Sequence, residues 1–134
     1  MSDRKLLIDL IEEMIEATEK IVHRCDRAEY VDTFLRDEEG MILLDSICMQ
    51  LVALGEAVKK VDGLTDGKLL ENYDEVPWRA IAGMRDVLSH HYFDLNAETV
   101  HGICGEEIRS VLQTLRRIRS DLFQKEKGRE GSRK

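Results

Sequence analysis

Apolar residues recur every three or four positions along most of this chain, which is the spacing that places one apolar stripe along one side of a helix. Four long stretches carry this pattern, over about residues 4–25, 37–61, 77–91 and 97–124. Pro77 suits the first turn of the third helix, where its missing N–H is not needed. One proline and 5% aromatic residues argue against a β-sandwich or barrel. We therefore predict an all-α protein, an up-and-down four-helix bundle with a short extra turn at Tyr30 to Leu35.

Several residues mark where these helices begin, end or meet. Asp32 is a plausible cap for the extra turn, and Asp62-Gly63 is expected to stop the second helix. Asp94 or Asn96 can cap the fourth helix. Gly55 lies inside the apolar stripe of the second helix, where glycine costs about 1 kcal/mol of helix propensity. Its expected use is the close approach of another helix.

The length bounds the organisation of the chain. With 134 residues it has the size of one ordinary domain, and we expect a single helical domain over residues 1–124. Residues 125–134 are polar and rich in basic side chains, and are expected to form a disordered basic tail. The sequence shows neither an uninterrupted apolar run of membrane-spanning length nor a secretory signal, so we expect a cytoplasmic protein without a membrane span.

The three cysteines, Cys25, Cys48 and Cys104, lie far apart and outside any CxxC pattern. Each falls beside an apolar helical position. Since cytosolic proteins keep their thiols reduced, we expect three buried, reduced thiols rather than disulfides.

Charge is distributed unevenly along the chain. The net charge is −7, which argues against indiscriminate binding to nucleic acid, including DNA. From Arg109 to Lys134 there are nine basic and three acidic residues, a net +6, so residues 1–108 carry −13. This acidic body with a basic end excludes promiscuous binding without excluding RNA as a substrate.

Residues 76–93 concentrate the side chains that metal-free phosphodiester chemistry requires. A neutral imidazole such as that of His90 can take the proton from a ribose 2′-OH, and an imidazolium can protonate the leaving 5′-oxygen. The guanidinium of Arg85 can hold the phosphate and stabilise its developing charge. Arg85 and His90 are five residues apart, so they converge only if the helix loosens after Ser89. A symmetric dimer would supply a second histidine.

Simpler interpretations of the same residues remain open at this point. Arg85 can pair with Asp86 or another acid, and His90 can cap the last carbonyl groups of its helix. Trp78 is expected to be a core anchor. Adjacent His90 and His91 point apart on a helix, and no HExxH or Cys/His spacing accompanies them, so we predict no metal site and no cofactor.

Three motifs resemble the HepT-like branch of the HEPN superfamily, and the resemblance covers nearly all of residues 5–123. They are Pro77-Trp78-Arg79-x-Ile81-x-Gly83-Met84-Arg85-Asp86-x-Leu88-x-His90-x-Tyr92-Phe93, Phe34-Leu35-x-Asp37 before the second helix, and Leu54-Gly55-Glu56-Ala57 inside it. The isolated Arg-to-His spacing is a weak signature, whereas the full run in its helical setting is specific.

The resemblance implies a HEPN-type bundle acting as a toxin of a prokaryotic toxin–antitoxin pair. Such toxins are homodimeric, metal-independent RNA endonucleases with a composite active site between the protomers. By this resemblance Arg85 and His90 are the catalytic pair, and Asp86 orients the site. His91 and Arg79 are auxiliary candidates.

The resemblance also implies a partner and a modification. Tyr92 matches the tyrosine to which a minimal nucleotidyltransferase antitoxin adds AMP, and a phosphate there would repel an RNA backbone from Arg85. Cleavage by 2′-OH attack would leave a 2′,3′-cyclic phosphate. The alternative is a non-catalytic HEPN module that binds a nucleotidyltransferase or nucleotide. A purely structural helical adaptor would explain the bundle but not the polar cluster.

Overall fold

A computed structural model describes the backbone of residues 3–89 and 93–132, and the side chains of residues 3–89 and 96–125. All regular structure in these ranges is helical, which confirms the all-α prediction. The elements are α1 (Asp3–Cys25), α2 (Val31–Leu35), α3 (Glu38–Thr65), a 3₁₀ turn (Leu70–Tyr73), α4 (Trp78–Ala82), α5 (Met84–Ser89), α6 (Phe93–Ile103) and α7 (Glu106–Ser132). The finer prediction of an up-and-down four-helix bundle stays a prediction.

Helix α3 is the central element, because it packs against α1, α2, α4, α5 and α6. α1 also packs along α7, and the two run antiparallel. Arg4 at the start of α1 donates to the carbonyl oxygen of Leu122 near the end of the described side chains of α7. At the other end, Arg109 donates to Asp26, just beyond α1, at 2.7 Å. The largest fully buried side chains form one core: Ile11, Met14, Ile21, Phe34, Leu44, Ile47, Leu51, Leu54, Leu70, Ile108, Leu115 and Ile118.

By length and composition alone, α3 could cross a membrane. The core helix of a globular protein passes the same test, and α3 buries Leu44, Ile47, Leu51, Leu54 and Val58. Packing against the neighbouring helices therefore accounts for these apolar side chains of α3, whereas Ile42 and Met49 on the same helix are exposed.

The ends of α2 and α3 differ in part from the prediction. Asp37 caps α3 by accepting from Gly40 N at 2.8 Å. The helix does not stop at Asp62-Gly63 but continues for one more turn to Thr65, and ends where Asp66 adopts a left-handed φ of 53°. Buried Val61 and the Thr65 hydroxyl, which donates to Val61 O at 2.9 Å, hold this last turn. Asp32 lies within α2, whose N-cap position is Tyr30, and makes no side-chain cap there.

The third predicted helix is broken at Gly83 into α4 and α5. Glycine is a poor helix former because it loses the most backbone entropy, and here α4 is also held very close to α3. A Cβ atom on Gly55 would lie 2.4 Å from the carbonyl oxygen of Ile81, which confirms the predicted role of Gly55 in close helix approach. The buried side chains of Trp78 and Ile81 fix α4 in this position.

The fourth predicted helix is also broken, at Cys104 and Gly105, into α6 and α7. Gly105 has a φ of 118°, which side chains other than glycine rarely tolerate, so the helix cannot continue through it. α6 begins at Phe93, so Asn96 lies inside α6 instead of capping it. α7 runs on to Ser132 and therefore does not confirm the disordered tail predicted from residue 125.

The prediction of three reduced thiols is wrong for two of them. Cys25 and Cys104 form a disulfide with a Cα–Cα distance of 5.4 Å, and Cys48 is a free cysteine. The two residues are 79 positions apart in the sequence, so their proximity is a property of the packed helices that no spacing motif could reveal. The bond joins the end of α1 to the turn between α6 and α7.

Candidate functional site

Helix α5 presents Arg85 to solvent. Buried Leu88 fixes one side of this short helix against the core, so Arg85, Asp86 and Val87 fall on its exposed side. The chain re-enters the helix after the break, since Asp86 N and Val87 N donate to Gly83 O at 3.1 and 3.3 Å. The Arg85 side chain is 67% exposed, which leaves its guanidinium accessible to a large anionic ligand.

Glu56 is the acid beside Arg85. Its Oε1 lies 3.8 Å from Arg85 Nη1 and 3.5 Å from Lys59 Nζ on the same helix. An exposed ion pair of this length contributes little to stability. The guanidinium carries five N–H donors, so one such contact leaves donors for a phosphate. The interpretation that Arg85 pairs with an acid is therefore compatible with phosphate binding, and the acid is on α3.

Two side chains satisfy carbonyl groups at the end of α5. The Ser89 hydroxyl donates to Arg85 O at 2.6 Å, and Asn96 Nδ2 in α6 donates to Leu88 O at 3.0 Å. Asn96 Oδ1 is buried and accepts no hydrogen bond from the residues that the structure describes. The Ser89 bond lies within α5, whereas the Asn96 bond ties α6 to the end of α5, across the segment that carries the remaining motif residues.

His90, His91 and Tyr92 lie outside the described residues. Their assigned roles, and the predicted convergence of His90 on Arg85 after Ser89, therefore stay predictions. α5 is described as far as Ser89 and α6 from Phe93 onward.

A groove of about 380 Å³ lies beside Arg85, between α3 and the end of α5. Its lining side chains are Leu44, Asp45, Cys48, Met49, Val52, Arg85, Leu88, Ser89 and Asn96. Burial, followed by the nearby Asp45 carboxylate, raises the pKa of the Cys48 thiol to about 11. Since the thiolate is the reactive form, Cys48 is a poor nucleophile at neutral pH.

Of the other predicted site residues, Asp86 lies next to Arg85, whereas Arg79 does not line the same groove. Exposed Asp86 follows Arg85 on the same short helix. Exposed Arg79 lines a separate pocket beside Asp62, Glu71 and Asp74. Arg85 and Asp86 are therefore neighbours on α5, whereas Arg79 lies on α4 beside a different pocket. The auxiliary role of Arg79 stays a prediction.

A larger apolar cleft of about 440 Å³ lies between α4 and α7, and Arg85 is not among its lining residues. Its rim carries the carboxylates of Glu75, Glu106 and Glu107. A backbone hydrogen bond within Glu75, helped by Arg117, lowers the pKa of Glu75, so this carboxyl group is ionised at neutral pH. An acidic rim repels phosphate, so the groove beside Arg85 is the better candidate for RNA despite its smaller volume.

Reasoning from the sequence missed the roles of Glu56, Ser89 and Asn96. Glu56 belongs to the Leu54-Gly55-Glu56-Ala57 motif, so the sequence pointed to Glu56 as a residue of interest. The sequence did not predict that Arg85 would be its partner. Asn96 is predicted from sequence as a helix cap, and its bond to Leu88 across eight residues depends on how α5 and α6 meet.

Comparisons with known proteins identify the family of this chain. The profile of the family described as "Ribonuclease HepT-like" matches residues 11–118. A protein of Caldanaerobacter subterraneus subsp. tengcongensis, named as a candidate RNase, is 31% identical over 87% of this chain and 94% of its own length. A candidate HepT ribonuclease of Thermococcus cleftensis is 30% identical over 83% of this chain and 94% of its own length.

A further candidate RNase, from Methanocaldococcus jannaschii, is 30% identical over 68% of this chain and 69% of its own length. No solved structure matches the chain at a comparable level of significance. The family profile spans α5 and the helices around it, including the central helix that carries Glu56. On these grounds the chain belongs to the HepT-like ribonuclease family of the HEPN superfamily.

Proposed function

We propose that this chain is the toxin of a toxin–antitoxin pair and acts as a metal-independent RNA endonuclease in the cytoplasm. The observation that carries the proposal is the exposed Arg85, held on a short helix by buried Leu88, in a chain of the HepT-like ribonuclease family. The relatives named as RNases support RNA as the substrate.

The proposed chemistry uses two side chains of the Arg-to-His motif. His90 of one protomer takes the proton from the ribose 2′-OH, whose oxygen bonds to phosphorus as the bond from phosphorus to the 5′-oxygen breaks. The protonated His90 of the second protomer gives its proton to the leaving 5′-oxygen. Arg85 holds the phosphate and stabilises the charge that develops on it, and Asp86 orients the site. The products are a 2′,3′-cyclic phosphate and a 5′-hydroxyl end. No step requires a metal ion or cofactor.

The proposal includes a homodimer, because one motif histidine cannot easily serve as both acid and base. The structure supports this with an exposed apolar face next to Arg85. Ile42 and Met49 on α3 are 60% and 71% exposed, and Val87 on α5 is 36% exposed. Ile42, Met49 and Glu56 follow one another at seven-residue spacing, so they line one side of α3. A second copy docked on this exposed apolar face would bring two Arg85 side chains to one cleft.

The proposed antitoxin is a minimal nucleotidyltransferase that modifies Tyr92. The Tyr92 hydroxyl would attack the α-phosphate of ATP, forming a phosphodiester with AMP and releasing pyrophosphate. The added phosphate and nucleoside would occupy the cleft and oppose an RNA backbone there. Incubation with ATP and a minimal nucleotidyltransferase of the proposed antitoxin class should add the mass of one AMP unit to the wild type and none to Tyr92→Phe.

The central test is RNA cleavage in EDTA by the purified protein. We expect Arg85→Ala and His90→Ala to lower the cleavage rate by at least about 100-fold, as loss of transition-state charge stabilisation or of proton transfer typically does. Arg116→Ala is the matched control. Arg116 is 51% exposed and lies 3.6 Å from Glu19, so it resembles Arg85 in exposure and pairing but lies away from the motif.

The outcomes separate the proposals. Cleavage that survives in His90→Ala, or is lost equally in Arg116→Ala, contradicts the assigned active site. A wild-type protein that cuts no RNA but still binds the nucleotidyltransferase would instead support the non-catalytic binding module.

A further inference from the structure

We infer that Glu56 is a positioning residue for the ribonuclease reaction: it holds Arg85 in the orientation in which the guanidinium receives the scissile phosphate. The inference rests on the proposed function, and it assigns a role to a residue that belongs to neither the Arg-to-His motif nor its helix. It starts from the 3.8 Å contact between Glu56 Oε1 and Arg85 Nη1.

The fold is built so that α3 reaches α5 at this point. Because Gly55 has no side chain, the backbone of α4 can come very close to α3. A Cβ atom on Gly55 would lie only 2.4 Å from Ile81 O. The next residue on α3 is Glu56, and α5 begins directly after the break at Gly83. The close approach next to Glu56 therefore determines how far Arg85 lies from the carboxylate.

The contact contributes little to folding. Both side chains are partly solvated, at 67% exposure for Arg85 and 39% for Glu56, and such pairs have small net stabilities. Glu56 also has an alternative partner, Lys59, one helical turn away at 3.5 Å. A charge pair with no major structural role, placed on the phosphate-binding side chain, is better explained by positioning.

Positioning matters because arginine has a long side chain with large rotamer entropy. A carboxylate that engages one N–H edge reduces this freedom before RNA arrives and leaves the other donors for the phosphate. The same carboxylate repels the phosphate in the ground state. Removing it should therefore lower kcat, because Arg85 is less ordered, while leaving KM equal or lower, because a negative charge is gone.

The test compares Glu56→Gln with two matched controls. Glu19→Gln removes the carboxylate of the Glu19–Arg116 pair, which has a similar distance of 3.6 Å. Lys59→Met removes the other partner of Glu56. We expect kcat to fall on the order of tenfold in Glu56→Gln, with KM not raised, and to stay within about twofold in both controls. Glu56→Asp keeps the charge and should recover part of the loss.

A second measurement does not depend on cleavage. NMR relaxation of the Arg85 side-chain Nε–H reports how ordered the guanidinium is, and we expect greater mobility in Glu56→Gln and wild-type mobility in both controls. Unchanged mobility, an unchanged kcat, or a loss caused by a raised KM would overturn the inference. A wild-type protein that cleaves no RNA at all would overturn the proposed function, while the relaxation data would still decide whether Glu56 orders Arg85.

Discussion

Gly55 and Gly63 lie on the same helix, α3, in opposite surroundings. A Cβ atom on Gly55 would meet the backbone oxygen of Ile81 at 2.4 Å, whereas a Cβ atom on Gly63 would meet nothing within 4 Å. We expect Gly55→Ala to lower the free energy of unfolding by roughly 1–3 kcal/mol, because α4 must move away. Gly63→Ala should raise it by up to about 1 kcal/mol through helix propensity alone.

Urea unfolding of the two variants measures both effects. The pair is well matched because the substitution and the helix are the same. Equal free energies of unfolding for Gly55→Ala and Gly63→Ala would contradict the close approach of α4 to α3. Since α4 leads into α5, Gly55→Ala should also reduce RNA cleavage.

At the scale of elements, Tyr73 joins the 3₁₀ turn to α7. Its hydroxyl donates to Asp121 Oδ2 at 2.6 Å, and its ring lies 5.1 Å from the guanidinium carbon of Arg117. Burial, then the hydrogen bond to Asp121, raises the pKa of Tyr73 from 10.0 to about 12. We expect Tyr73→Phe to lower the free energy of unfolding by about 1 kcal/mol at neutral pH.

The raised pKa of Tyr73 also determines the pH dependence of this contribution. The folded state binds the Tyr73 hydroxyl proton more tightly than the unfolded state does. The contribution of Tyr73 to the free energy of unfolding is therefore complete below about pH 10 and is lost as the pH rises toward 12. The difference in unfolding free energy between wild type and Tyr73→Phe should therefore be constant up to about pH 9.5 and shrink above it. Tyr30→Phe is the control, since Tyr30 is 65% exposed. A difference that grows above pH 10 would contradict the assigned direction.

The disulfide between Cys25 and Cys104 joins α1 to the turn between α6 and α7. Because it closes a long loop, its loss in Cys104→Ser should cost roughly 2–4 kcal/mol of unfolding free energy, seen as a lower Tm. Cys48→Ser leaves the bond intact and serves as the control. Thiol titration of the denatured protein should find one free thiol per chain before reduction and three after it. Three thiols without reductant would show that the bond is absent.

At the scale of the whole molecule, the exposed apolar face with Ile42 and Met49 predicts self-association. We expect Met49→Glu to convert a dimer into a monomer and to lower RNA cleavage, because a charge would be buried in the interface. Phe123→Glu is the control, since Phe123 is also an exposed apolar residue, at 41%, but lies on α7. Light scattering coupled to gel filtration measures the mass. A Met49→Glu protein that stays dimeric would place the interface elsewhere.

The charge asymmetry of the chain is partly compensated in the fold. Three basic side chains of α7 pair with acids of the rest of the chain: Arg109 with Asp26, Arg116 with Glu19, and Arg117 with Glu75. Some of the basic side chains behind the net charge of +6 of residues 109–134 therefore pair with acids of residues 1–108 and hold α7 in place. The basic end is thus a weaker argument for RNA binding than the local environment of Arg85.

The disulfide also bears on the proposed cytoplasmic location. Disulfides are rare in the cytosol of mesophiles but common in intracellular proteins of hyperthermophiles. A persistent disulfide therefore fits the proposed cytoplasmic location best in a hyperthermophile.

The sequence by itself determined the all-α class and the family. Apolar periodicity is a local property, so the all-α class and the approximate positions of α1, α3 and α7 could be predicted, as could the close approach at Gly55. The motif from Pro77 to Phe93 predicted Arg85 as a site residue, because residue types at fixed spacing are visible without a fold. The roles of His90 and Tyr92 rest on that motif.

Only the tertiary structure decided which distant groups meet. The disulfide of Cys25 with Cys104 and the contact of Glu56 with Arg85 both depend on packing between helices that are far apart in the chain. Periodicity specifies which side of a helix is buried. It does not specify which other helix covers that side, or at which position along the helix axis the two helices meet. The pairing of Glu56 with Arg85 depends on where α4 and α5 meet α3, and the close approach there is possible because Gly55 has no side chain.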